Sequence, residues 1–153
     1  YSSAASDVYK RQVRTIVREQ HGYTALIKAC RNKHVQVAVF LIGHGASVNA
    51  KSQNGWTPLI EAARVGSVEL VRLLLHQKQD LVDVNAKNNM GWTALMEACR
   101  TAHFSTVRCL IEEGDAQVDL RDHVSGCFVS KPALRCCVLF TICDESSCAY
   151  WLK

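Results

Sequence analysis

The feature that most restricts how this chain can fold is that it repeats itself. GYTALIKAC from Gly22, GWTPLIEAA from Gly55 and GWTALMEAC from Gly91 align without gaps, at spacings of 33 and 36 residues. A unit of that length cannot bury its apolar face alone, so several must stack and share one core. Within each unit the residues spell out two helices. Thr24, Thr57 and Thr93 stand where a helix start needs an oxygen to accept from amides left unpaired by the helix. Pro58 follows in the first turn, where a missing N–H costs nothing. Leu26, Leu59 and Leu95, with Ala29, Ala62 and Ala98, supply an apolar face whose small members let neighbouring helices approach. The second segments carry stripes at i, i+3, i+6 and i+7: Val35, Ala38, Leu41, Ile42; Val68, Val71, Leu74, Leu75; Phe104, Val107, Leu110, Ile111. The returns HGASVNAK, DVNAK and VDLRD close the units, with Gly45 and Gly114 suited to the left-handed backbone that ends a helix.

This pattern resembles the ankyrin repeat, whose signature is a turn, G-x-T-P-L-H-x-A-A, a second helix and a Gly-rich return. The resemblance covers about 110 residues and implies an all-α ankyrin-repeat solenoid of stacked helix-turn-helix units with turn fingers, over residues 13–122. The repeats fall at about 19–51, 52–87 and 88–121. Ile27, Ile60 and Met96 replace the family's usual histidine, which removes a hydrogen-bonding tether. Lys33 and Ala102 replace the inter-helix glycine that only Gly66 keeps. A Cβ resists positive φ, so a strained or reshaped turn is expected in repeats one and three. Three extra residues in HQKQDLVDVN, between Leu75 and Val84, lengthen the second helix or its loop, which loop entropy tolerates. With no polar cap at either end, the stripe Phe104, Val107, Leu110 and Ile111 is expected to stand uncovered unless the tail folds over it, leaving the stack marginally stable.

Two end segments fall outside this pattern. Residues 2–12, SSAASDVYKRQ, resemble the conceptual translation of a transposase sequencing adapter, so 1–12 is set apart from the domain. Beyond Asp122 the repeats stop, and residues 123–153 hold five of the eight cysteines. Two explanations stay open for that Cys-rich tail. One is unspliced intron sequence, since Val124 and Ser125 could be encoded by a splice-donor-like string; the other is a degenerate capping repeat with a tail.

Charge and motifs exclude several functions. The formal net charge is +4, with basic residues spread along the chain rather than gathered in a stripe, so no nucleic acid partner is expected. The cysteines show no CxxC pair and no signal peptide precedes them, so they read as reduced thiols of a cytoplasmic chain, with the nucleus also open. Cys30 and Cys99 fill a position that wants a small apolar side chain. The apolar run Ala133–Cys143 is about half the roughly 20 residues a membrane span needs, and it contains Arg135. No membrane insertion is expected. Cys127, Cys136, Cys137, Cys143 and Cys148 are irregularly spaced for zinc, and no metal or cofactor is expected. His21, His34, His44, His76, His103 and His123 fall at turns and helix ends, with His34 and His103 at the first position of a second helix. No G-x-S-x-G, phosphate loop, HExxH or nucleophile beside a positioned base occurs, so neither catalysis nor a small-molecule substrate is expected.

What remains is recognition of another protein. The resemblance implies contact through the concave face, at turn tips and at exposed positions of the first helices. By alignment the tips are Gln20, His21 and Tyr23; Gln53, Asn54 and Trp56; and Asn89, Met90 and Trp92. The helix positions are Arg31 and Asn32, Arg64 and Val65, and Arg100 and Thr101. Two columns emerge in register, Tyr23–Trp56–Trp92 and Arg31–Arg64–Arg100, of the types enriched at binding hot spots. They read either as a contact surface or as shared scaffold, because Glu61 with Arg64 and Glu97 with Arg100 are also ordinary i, i+3 helical pairs. As a contact surface, the arginines favour carboxylates or phosphates. The expected function is a protein–protein interaction module without catalysis. The alternatives are the recruitment region of a larger enzyme, of kinase, ubiquitin ligase or phospholipase type, and mid-array filler that touches no partner.

Overall fold

A computed structural model describes residues 21–77 and 82–118. The adapter-like segment, Gln20 and the tail 123–153 lie outside the described residues. Among the described residues there are six helices and no strand. They are α1 (Ala25–Arg31), α2 (Val35–Gly43), α3 (Pro58–Arg64), α4 (Val68–Leu75), α5 (Ala94–Arg100) and α6 (Phe104–Glu112). Each pair is one repeat. First helices stack as α1, α3, α5 and second helices as α2, α4, α6, each also packed on its own partner. The shared core between them is small and aliphatic: Leu26, Ala29, Ala38, Leu59, Ala62, Leu70, Leu74, Leu95, Ala98 and Leu110 are all buried.

The three threonines start the first helices as their chemistry requires. Thr24, Thr57 and Thr93 each accept from the backbone N–H three residues on, at 3.3, 3.2 and 3.3 Å. Of the second helices only α4 has a side-chain cap, where Ser67 accepts from Leu70 N–H. His34 and His103 stand one position earlier than the sequence places them, as N-caps without a capping bond.

The inter-helix turns adopt the left-handed backbone in all three repeats, at Lys33 (φ 59°), Gly66 (φ 70°) and Ala102 (φ 56°). The expected strain in repeats one and three is therefore present. Only Gly66 is also sterically confined: a Cβ there would lie 2.5 Å from the His103 ring of the next repeat. By register the residue over Lys33 is the much smaller Ser67.

Two expectations need correction, and a third is narrowed to one of its alternatives. Gly45 is left-handed (φ 83°), but at the last return that role falls to Asp115 (φ 49°) rather than Gly114. Gly114 is held instead by close approach, since a Cβ would meet the Leu110 carbonyl oxygen at 2.8 Å. The stripe on α6 is not left uncovered: Val107 and Leu110 are buried, because they point at α5 and α4 rather than away from the stack, and only Phe104 is exposed. Among the described residues the exposed large apolar side chains are Val37, Val39 and Phe40 on α2, together with Met90, Phe104 and Val118. Finally, α4 has 8 residues against 9 in α2, so the insertion does not lengthen the helix. It falls in the return, of which residues 78–81 lie outside the described residues.

Bonds between consecutive repeats fix the stacking register. Asn49 Oδ1 accepts from Asp83 N–H and Asn85 Oδ1 from Gln117 N–H, both at 2.9 Å, a ladder along the returns. At the other edge, Gln53 N–H donates to the His21 carbonyl and Asn89 N–H to the Asn54 carbonyl, both at 3.1 Å.

Candidate functional site

The turn fingers are folded by their own side chains. In the second, Ser52 and Trp56 close a tight turn: Ser52 N–H donates to the Trp56 carbonyl at 2.9 Å, and Ser52 Oγ accepts from Trp56 N–H at 3.1 Å. In the third, Asn88 does both jobs, its Oδ1 accepting from Met90 and Trp92 N–H at 3.0 and 2.9 Å. Gly55 (φ 76°) completes the second turn, and a Cβ there would sit 2.9 Å from the Asn89 backbone nitrogen. The fingers therefore hold each aromatic ring at one height relative to the helix behind it.

Opposite each ring stands the arginine that ends the first helix of the same repeat. The guanidinium carbons lie over the ring centroids at 5.6 Å for Arg31–Tyr23, 5.9 Å for Arg64–Trp56 and 5.5 Å for Arg100–Trp92. These are cation–π distances. Beneath two of the three runs a carboxylate. Arg64 Nε donates to Glu61 Oε2 at 2.8 Å, while Arg100 gives Nε and Nη2 to Glu97 Oε2 at 3.1 and 2.9 Å. Both glutamates are 2% exposed and their arginines 30% and 51%. A buried carboxylate without its partner is strongly destabilising, so each glutamate clamps its arginine over the ring. In the first repeat Lys28 takes the glutamate's place. Rings and arginines of all three repeats, with Glu61, Glu97 and Met90, line one open groove of about 390 Å³.

The family described as "Ankyrin repeats (3 copies)" matches this sequence over residues 4–88 and 50–122. The chain belongs to the ankyrin-repeat family. Its match begins at residue 4, inside the adapter-like segment that lies outside the described residues. Among curated proteins it is similar to "Protein fem-1 homolog A-like" of Mus musculus, 41% identical over 59 residues, which is 39% of this chain and 9% of that protein. "BCL-6 corepressor-like protein 1" of Homo sapiens is 36% identical over 63 residues, 41% of this chain and 4% of that one. "Ankyrin repeat domain-containing protein 13C" of Danio rerio is 32% identical over 74 residues, 44% and 15% respectively. The chain thus spans between 4% and 15% of the length of these relatives. Ankyrin repeats are protein-interaction modules, and this chain carries such a module.

Seven of the candidate residues named from the ankyrin alignment come together in the groove: Tyr23, Arg31, Trp56, Arg64, Met90, Trp92 and Arg100. Others do structural work beside it. His21, Gln53, Asn54 and Asn89 sit at exposed fingertips and join consecutive fingers, with Asn89 Nδ2 also donating to the Gln53 carbonyl at 3.0 Å. Asn32, Val65 and Thr101 are the C-caps of the first helices, and Thr101 Oγ1 is occupied by the Glu97 carbonyl at 2.8 Å. The alignment missed Glu61 and Glu97 as part of the groove. Their spacing to arginine was visible, but spacing says only that the pair meets, not that its acid is buried under the surface a partner meets.

Other chemistry is sparse. Cys30, Cys99 and Cys109 are not joined in disulfides, and burial, followed by the nearby Glu61, pushes Cys30 up to about 12. Among the described residues no cluster of three His, Cys, Asp or Glu side chains could hold a metal ion, and no helix is long and apolar enough to cross a membrane.

Proposed function

We propose that this ankyrin domain binds a partner protein in the groove between its fingers and first helices, without catalysis of its own. The observation that supports this most directly is the three-repeat row of arginine-over-aromatic pairs, clamped by buried glutamates. Rigid aromatics and pre-oriented arginines lose little conformational entropy on binding, which is why hot spots favour them. Their confinement to one groove supports reading the row as a contact surface as well as a scaffold. The reading places the chain in the cytoplasm or nucleus, where thiols such as those of Cys30, Cys99 and Cys109 stay reduced. It includes no nucleic acid, membrane or small-molecule ligand.

The test is to select ligands for the protein from a random-peptide phage library and locate them by amide and indole NMR shifts. Shifts centred on Trp56, Trp92 and the first helices are expected. Shifts centred on α2, α4 and α6 instead, or an empty selection, would sink the proposal.

A second reading is favoured by the relatives, of which the chain spans at most 15%. The repeats then serve as the recruitment arm of a longer protein, including an enzyme. Transcript sequence through both ends distinguishes the two: an adjoining catalytic domain establishes the second reading, and further repeats alone refute it.

A further inference from the structure

Spacings of 33 and 36 residues put the second helices in register, so residues of α2 have counterparts on α4 and α6. Val37 corresponds to Leu70 and Thr106, and Phe40 to Leu73 and Cys109. Their burial differs sharply. Val37 is 49% exposed where Leu70 and Thr106 are 0%, and Phe40 is 60% exposed where Cys109 is 2% and Leu73 is half-buried. Val39 behaves otherwise: its counterparts Arg72 and Arg108 are exposed too, so that position faces solvent in every repeat.

The neighbour on one side accounts for the contrast. Second helices pack as α2 on α4 and α4 on α6. Among the described residues α2 has a following second helix and no preceding one, and its Val37 and Phe40 stay exposed. The helix α6 has a preceding one and no following one, yet its Thr106 and Cys109 are buried. What covers this column is therefore the repeat before. Direct contact agrees, since the Cys109 thiol lies within hydrogen-bonding reach of Arg72 on α4. The first helices obey the same rule: Pro58 and Ala94 are buried, whereas their counterpart Ala25 is only half-buried. The opposite column runs the other way. Cys30 and Ala63, which have a following repeat, are fully buried, and Cys99, in the last described repeat, is half-buried.

We infer that Ala25, Val37 and Phe40 form a stacking face, and that its occupant is a further ankyrin repeat of the same polypeptide, placed ahead of α1 and α2. The face continues the interface that already joins α2 to α4 and α4 to α6, and repeat arrays are built by stacking each unit on its neighbour. The sequence of α2, VQVAVFLIG, carries no charged side chain, so the occupant's contacting side is apolar as well. Such a repeat brings its own finger and first helix beside Tyr23 and Arg31, which extends the groove past the first described repeat.

The test adds a repeat and asks whether it buries Phe40. A second copy of residues 22–54 is inserted in register before Gly22 of the full chain, and Phe40→Asp is made in the original α2 with and without the insertion. The extended chain is expected to melt higher, with slower amide exchange across the original α2. Phe40→Asp is expected to leave the melting midpoint of the present chain within about 2 °C and to lower that of the extended chain by about 5 °C or more. Val39→Asp, on the solvent column, is expected to shift neither by more than about 2 °C. An extended chain that melts no higher overturns the inference, as do equal losses for Phe40→Asp in both chains. So does a present chain that sediments as a dimer and is split to monomers by Phe40→Asp, because the face then belongs to a second copy. The groove reading does not depend on these outcomes and is tested separately by the phage-selected ligands.

Discussion

Each first helix is followed by one left-handed residue, and the next repeat decides what that residue can be. At Gly66 two demands coincide, a φ of 70° and the His103 ring where a Cβ would stand. Gly66→Ala is therefore expected to destabilise the domain by about 1–3 kcal/mol, from the left-handed penalty and the forced shift of His103. Lys33 meets only the first demand, so Lys33→Gly should relieve strain and stabilise by about 0.5–1 kcal/mol. Urea unfolding of both variants checks the opposite signs; a loss of stability in Lys33→Gly would mean that the left-handed backbone carries little strain there. The Cys30 thiol makes a second prediction at this scale. Its ionisation moves from the ordinary 9.0 to about 12 on folding, through burial first and Glu61 second. Above pH 9 the unfolded chain has lost a proton that the folded chain keeps, so stability is expected to fall as pH rises from there toward 12. Below pH 9 both states keep the proton and this contribution is flat. Cys30→Ala should remove that alkaline slope in pH-dependent urea titrations, and the folded wild-type thiol should resist alkylation at pH 8.

At the scale of helices, apolar content and burial part company on α2. Its sequence VQVAVFLIG is nearly all apolar, yet Phe40 is 60% exposed while Ala38 and Ile42 are buried. Phe40→Ala is thus expected to cost less than about 1 kcal/mol, whereas Leu74→Ala, fully buried on α4, costs about 2–5 kcal/mol. Thermal melts of the two variants measure the contrast, and a large loss for Phe40→Ala would show that the outer face of α2 is covered. The helices themselves were legible in the sequence. Threonine caps, Pro58 and the small-residue face are local signals, and the structure follows them. The direction of the α6 stripe was not legible, because periodicity shows that one face is apolar without saying which neighbour lies against it. Nor did periodicity reveal the ladder of Asn49 and Asn85, whose partners lie 34 and 32 residues away. Asparagine in a return reads as turn chemistry until the next return is placed beside it.

At the scale of the whole molecule, the described helices pack chiefly on those of adjacent repeats, so the middle repeat occupies a special place. The helices α3 and α4 face neighbours on both sides, while α1–α2 and α5–α6 each have one among the described residues. Stability in such an array is close to a sum of repeat and interface contributions. An isolated repeat cannot bury its apolar face, so the interfaces supply what holds it folded. Leu59→Ala, a cavity in buried α3, weakens one repeat and both interfaces at once. Leu26→Ala weakens α1 and one interface. Hydrogen exchange should separate the cases: Leu59→Ala lowers protection in all six helices together, while Leu26→Ala loosens α1 and α2 and leaves α5 and α6 near their wild-type protection. The groove makes the difference matter for binding, because its arginine row needs all three repeats in register, with α1 supplying Arg31, α3 supplying Arg64 and α5 supplying Arg100. A variant frayed in the first repeat keeps two arginine–tryptophan pairs and loses the third, so ligand affinity should fall before the melting temperature of the remainder does. If Leu26→Ala instead lowers protection evenly across the molecule, the three repeats unfold as one unit and the groove is lost or kept whole.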